Sequence, residues 1–265
     1  MRGFKTGAIA GTLALGASLL LARIHPFGDA ELFTRPAAQG AMLEESEVPP
    51  EVRQVLAAKC VDCHSNETRA PFYGRFAPVS WLMERDIVRG RRAMNLSLWS
   101  SYSADQQQAL TAKIAQETKS HEMPLLQYRV IHWNARITDR EELELSQWAR
   151  RLQGPDGGNA PNASAGDPVR GKEVFGRRCT GCHALAQNRE GPKLQGVYGR
   201  SAGTIANYPY STALKNAHMV WDDATLDRWL TDPDTAVPGN NMEFRVSKLQ
   251  DRRDIISYLK TAAGK

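Results

Sequence analysis

Apolar and polar positions along this chain follow helical spacing, in short runs broken by Gly and Pro. The one long exception is near the start. Residues 7–22 carry no charge and consist of Ala, Gly, Leu, Ile, Thr and Ser. Arg2 and Lys5 precede them, which is the layout of an export segment. Beyond Pro49-Pro50 the pattern predicts helices over 50–58, 80–89, 103–119, 138–152, 167–179, 224–231 and 250–262. Ser103 and Gln106 have the spacing of a capping box, as do Thr138 and Glu141, so two of these helices have defined starts. The helix opened by Thr138 carries Leu143, Leu145, Trp148 and Leu152. No run alternates with a period of two, so the expected fold class is all-α.

The breaks divide the chain. Residues 153–165 are mostly Gly, Pro, Asn, Ala and Ser with no apolar period, a flexible linker by composition. Such a segment spans roughly 20 Å, so the halves it joins can touch or separate. The expected order is an export signal or N-terminal membrane anchor at 1–30 and a loose connector at 31–47. A folded domain at 48–152, the linker, and a second domain at 166–265 follow. Gly28 and Ala30 supply the small residues of a cleavage site. The competing reading retains residues 6–22 as a membrane anchor, because the run approaches bilayer-spanning length. Either reading puts the folded part outside the cytoplasm, in the periplasm, soluble or tethered to the inner membrane. Each half, about 100 residues of short helices, buries little apolar surface of its own.

Charge narrows the partners. The 265 residues carry a net charge of +5, which suits acidic proteins or an anionic surface. No dense Lys/Arg patch with interleaved aromatics is present, so nucleic acid is not an expected partner.

Cysteine usage then changes the picture. The chain has four cysteines, and all stand in two Cys-x-x-Cys-His motifs: Cys60, Cys63 and His64, then Cys179, Cys182 and His183. This is the attachment signature of a c-type haem, with two thioethers fixing the porphyrin and the adjacent His ligating iron. A zinc site needs four ligands in one module, yet each pair stands alone in sequence. A redox dithiol leaves the following His unexplained twice. The expectation is two covalently attached c-type haems, with His64 and His183 as proximal iron ligands.

The second half resembles class I cytochrome c over essentially its whole length. The segments that carry the resemblance are residues 166–175 (GDPVRGKEVF), 191–194 (GPKL), Trp221, 238–242 (PGNNM) and 254–260 (DIISYLK). The resemblance implies that the Pro192 carbonyl orients His183 and that Met242 is the distal iron ligand. It places Arg200, Tyr210 and Trp221 near a haem propionate. Gly171, Phe175 and Tyr258 match the crossing of the first and last helices. Trp229 stands where the family usually has Tyr near the distal Met. His/Met ligation raises the reduction potential. Met219 and His218 are the local competitors for the ligand role. In place of lysines that ring the haem edge in mitochondrial members, this chain has Asp234 and Asn241, so the docking partner differs.

The first half, through residues 60–68 (CVDCHSNET), 77–81 (APVSW) and Gly90-Arg91, resembles a bacterial exported haem-binding domain. Its sixth iron ligand is to be found among Met83, Met94, His121, Met123 and His132. Met123 is favoured: it follows His64 by 59 residues, the separation of His183 and Met242. Arg91 and Asn95 are candidate propionate partners by residue type. Trp81, Trp99, Tyr73, Tyr128 and Trp148 read as packing around haem.

Together these readings point to two cytochrome c-like haem domains joined by a flexible linker. The expected function is single-electron transfer between redox partner proteins, in a respiratory chain, with no catalytic residues required. The alternative is a dihaem peroxidase-like oxidoreductase or a haem-based sensor, which needs an open sixth position at the first haem.

Overall fold

The computed structural model describes residues 2–32, 48–154 and 164–262; side chains are described from residue 9 onward. Most of the connector, the core of the linker and the Arg2 and Lys5 side chains lie outside the described residues. Among those described there is no strand, and the chain is all-α. Contacts gather it into two compact units, residues 1–101 and 102–265.

The first unit holds α1 (Arg2–Leu21), α2 (Pro50–Lys59), α3 (Val61–His64) and α4 (Val79–Ala93). Pro50 opens α2 at the one helical position where a missing N–H costs nothing. Helix α4 buries Ser80, Glu84, Ile87 and Gly90, one stripe at helical spacing. That stripe meets the end of α1. The Ser18 hydroxyl donates to the Ala77 carbonyl at 2.7 Å, and the Trp81 indole N–H donates to the Leu21 carbonyl at 3.1 Å. His25 Nδ1 lies 2.6 Å from Glu84 Oε1, and Glu84 is fully buried. Ala22 and Ala30 are buried as well. Residues 18–30 therefore form a strap over α4, a role that apolar patterning alone does not reveal. No helix among the described residues is long and apolar enough to cross a membrane.

The second unit holds α5 (Ala104–Lys119), α6 (Leu126–Ile131), α7 (Asp139–Gln153), α8 (Pro168–Arg178), α9 (Thr212–Lys215), α10 (Asp223–Thr231), α11 (Pro233–Ala236) and α12 (Leu249–Thr261). Both expected capping boxes form, Ser103 with Gln106 and Thr138 with Glu141. Each satisfies two orphan backbone donors at once. Asp222 and Thr225 form a third at α10. Helices α5 and α7 pack through Ala112, Ala115, Leu145, Trp148 and Ala149. Leu143 is a correction: it is 54% exposed, a solvent-side position on α7.

Helices α8 and α12 cross closely. A Cβ on Gly171 would sit 1.9 Å from the Asp254 carbonyl oxygen, so only Gly allows the approach. Phe175 packs on Tyr258 at 5.4 Å beside the crossing. Asp254 ties the ends together, accepting from the Asp167 N–H and both Arg170 donors.

Candidate functional site

The first motif is built by α2 and α3. α2 ends at Cys60, and α3 carries Cys63 and His64. His64 Nδ1 donates to the Met94 carbonyl at 3.2 Å. A proton held on Nδ1 puts the ring's lone pair on Nε2, the nitrogen an iron takes. Sequence reading missed this partner because a backbone carbonyl leaves no residue-type signal. Gly90 brings α4 against the motif: a Cβ there would lie 2.5 Å from the Cys63 carbonyl oxygen. Arg91 and Asn95, the candidate propionate partners, make contacts within the protein. Arg91 donates to Ser65 O at 2.7 Å and to Thr68 Oγ1 at 3.1 Å, and Asn95 donates to Asn66 Oδ1 at 2.9 Å. They brace the loop behind the motif, whose oxygens take their donors.

The second motif follows α8, which ends at Cys179. His183 Nδ1 donates to the Pro192 carbonyl at 2.8 Å. A Cβ on Gly191 would fall 2.2 Å from the His183 ring, so the loop carrying Pro192 comes this near only with Gly at that position. Burial lowers the His183 pKa, which favours the neutral, ligating form.

Burial, then the charges of Asp62 and Asp86, pushes Cys63 up to about 12. Burial pushes Cys179 up to about 12 and Cys182 to about 11.

His183 and Met242 line the same cavity, of about 110 Å³, together with Cys179, Pro192 and the apolar Leu194, Val197, Ile255 and Leu259. Trp229 Nε1–H donates to Met242 Sδ at 3.1 Å, and Trp229 is fixed by an edge contact with Trp221 at 5.2 Å. The Met242 N–H donates to Asn240 Oδ1 at 2.7 Å, and Asn240 is fully buried. Arg200, Tyr210 and Trp221 line the cavity too. Arg200 donates to the carbonyls of Gln195 and Lys193 at 3.0 and 3.2 Å. Met219 is not among the lining residues; it packs on the rim of the core. The donor set fits haem c: the Cys179 thiol, an imidazole with Nδ1 engaged and a thioether line one apolar, aromatic-walled cavity, and Cys182 stands beside His183 in the motif. Gln116 of α5 also lines this cavity. Nothing marks it in sequence, since it lies outside the segment that resembles cytochrome c.

The candidates for the first iron divide between the units. Met83 and Met94 lie with His64 in the first; His121, Met123 and His132 lie in the second. The Met123 N–H donates to the Glu117 carbonyl at 3.0 Å in the turn after α5. The His132 ring stacks on Tyr128 at 4.1 Å, with Nδ1 3.2 Å from the Tyr128 carbonyl.

Residues 19–151 match the family described as haem-binding domain, and residues 168–263 match the family described as cytochrome c. Cytochrome c of Euglena viridis is 46% identical over 36% of this chain and 97% of its own length. Cytochrome c2 of Rhodomicrobium vannielii is 41% identical over 38% of this chain and 83% of its own length. Among solved structures, cytochrome cH from Methylobacterium extorquens is 43% identical, with 36% of this chain and 99% of that chain covered and a TM-score of 0.35.

Proposed function

The chain belongs to the haem-binding domain family and carries a cytochrome c domain, so it binds haem c and transfers electrons, and we propose that it is a periplasmic carrier of two haems. The observation that carries this reading is the pair of complete Cys-x-x-Cys-His motifs, each with its His Nδ1 donating to a backbone carbonyl. Haem c, when bound, supplies one-electron iron chemistry. The residues supply the rest. Cys60, Cys63, Cys179 and Cys182 hold the two groups covalently, and His64 and His183 present Nε2. Met242 would be the distal ligand of the second iron, supported by its lining the same cavity as His183. The Trp229 N–H donates to its sulfur and would compete with an iron for that lone-pair density. Spacing supports Met123 as the distal ligand of the first iron. Arg200, Tyr210 and Trp221 line the second cavity and would face a haem propionate there.

The uncharged run at residues 7–22 supports export to the periplasm. The partners are donor and acceptor redox proteins; with Met123 and Met242 as distal ligands, neither iron would keep a position for substrate. Redox titration of the holo-protein, with haem content measured per chain, tests this. Two haems per chain and two low-spin one-electron steps are expected. One haem per chain, or a high-spin haem that turns over peroxide, overturns it.

A further inference from the structure

The segment that presents Met242 is gripped from outside the cytochrome c domain. Helices α5 and α7 precede that domain in sequence, and all but the last two residues of α7 fall within the family match of the first half, yet they pack in the same unit as α8–α12. Their side chains converge on residues 234–245. Lys119 Nζ lies 3.3 Å from Asp234 Oδ1 and 2.7 Å from Glu243 Oε1. Arg150 Nη2 lies 2.8 Å from Asp234 Oδ2. Gln153 donates to the Glu243 carbonyl at 3.1 Å and accepts from the Arg245 N–H at 2.8 Å.

These contacts fall on both sides of Met242 in sequence. On one side, Asp234 Oδ1 also accepts from Asn240 Nδ2 at 3.3 Å, and Asn240 Oδ1 holds the Met242 N–H. On the other, Glu243 is only 4% exposed, a carboxylate that stays buried because cations reach it. Asp234 thus has an occupant. The acidic residue that stands out in the second half faces two cations of the same chain.

We propose that α5 and α7 form a clamp that positions Met242, with Lys119, Arg150 and Gln153 as its contact points and Asp234 and Asn240 transmitting the hold. A thioether is a weak iron ligand on a flexible side chain, so its occupancy depends on how firmly the backbone around it is preorganised. The clamp supplies that firmness from a segment the cytochrome c domain does not contain. These are positioning residues, and the inference rests on Met242 being the distal ligand of the second iron.

The test uses the full-length ferric holo-protein and imidazole as a competing iron ligand. The double variant Lys119→Ala/Arg150→Ala should bind imidazole at the second iron at least tenfold more tightly than the parent. It should also show weakened Met–iron charge-transfer absorption. Asp234→Asn, a milder change that serves if the double variant does not fold, should shift both readouts in the same direction. Lys119→Arg should restore parental behaviour. Unchanged imidazole affinity and absorption in Asp234→Asn and the double variant overturn the clamp. Met242→Ala serves as the control. If it leaves the charge-transfer absorption intact, the ligand assignment falls and the clamp with it. If it removes the second haem's share of that absorption while the clamp variants stay parental, only the clamp is refuted.

Discussion

Two glycines on α8 should respond to the same substitution with opposite signs. Gly171 lies where α8 crosses α12. A Cβ there would stand 1.9 Å from the Asp254 carbonyl oxygen and 2.9 Å from Tyr258 Cβ. Ordinary contact begins at 3.4 Å, so Gly171→Ala falls short by 1.5 Å against backbone, which no rotamer change relieves. The helices must part, loosening Phe175, Ile255 and Leu259, all nearly buried. Overpacking costs about 1–3 kcal/mol, and a backbone clash belongs at the upper end. Ala in place of mid-helix Gly returns about 1 kcal/mol. The net expectation is a loss of about 2 kcal/mol, a fall of about 4–8 °C in Tm for a unit of this size. Gly176, five residues along the same helix, has no atom within 4 Å of its would-be Cβ. Gly176→Ala keeps the propensity gain alone and should raise stability by up to about 1 kcal/mol. Denaturant and thermal unfolding of both holo-variants measure the difference. Equal stability of the two, or a Gly171→Ala protein as stable as the parent, would refute the close-crossing argument.

Other expectations follow from single contacts. Gly90→Ala places a Cβ 2.5 Å from the Cys63 carbonyl, so haem attachment at the first motif should drop, read as haem per chain; parental stoichiometry would count against the close approach of α4. For Asp254, burial pushes the pKa up, but the Asp167 N–H, Arg170 and Gln250 donors outweigh it and the net shift is downward from 3.8. Its contribution is therefore present above the unfolded pKa and lost as pH falls through the folded value. Asp254→Asn should lower stability at neutral pH and flatten the acid limb of a stability–pH curve; an unaltered acid limb would be the contrary result. The strap at residues 18–30 should persist in the mature protein, since cleavage at Ala30 would remove His25 from buried Glu84. Intact-mass analysis should give an N-terminus at or before Ser18. Within the retained strap, His25→Ala should cost about 1–3 kcal/mol by stranding a buried acceptor.

Much of the fold could be read from local chemistry. Ser103 and Thr138 announce α5 and α7 because a capping box is made by residues three apart, and Pro50 and Pro168 mark helix starts in the same local way. Helix α4 runs past its expected end to Ala93 because Gly90 serves a close approach to Cys63 rather than a stop. Helix α6 was not anticipated: Leu126, Val130 and Ile131 are all exposed, so it has no buried stripe to show a period. At the site, the motifs name Cys and His by type, whereas Met94 acts through its carbonyl and Gln116 through its placement. The pairing of Lys119 and Arg150 with Asp234 and Glu243 joins residues more than eighty positions apart, which no local pattern encodes.

The grip of α5 and α7 on residues 234–245 also bears on how such a chain can diverge. A cytochrome c that stands alone is free to put a cation at the position of Asp234; one carrying this arm is not, because two cations already point there. The acids at 234 and 243 and the bases at 119 and 150 should change together or not at all across lineages. A module boundary drawn at the Gly- and Pro-rich segment would split partners that selection must treat as one. Swapping in a foreign cytochrome c behind residue 165 would bring a like-charge clash unless the arm's cations were replaced with it.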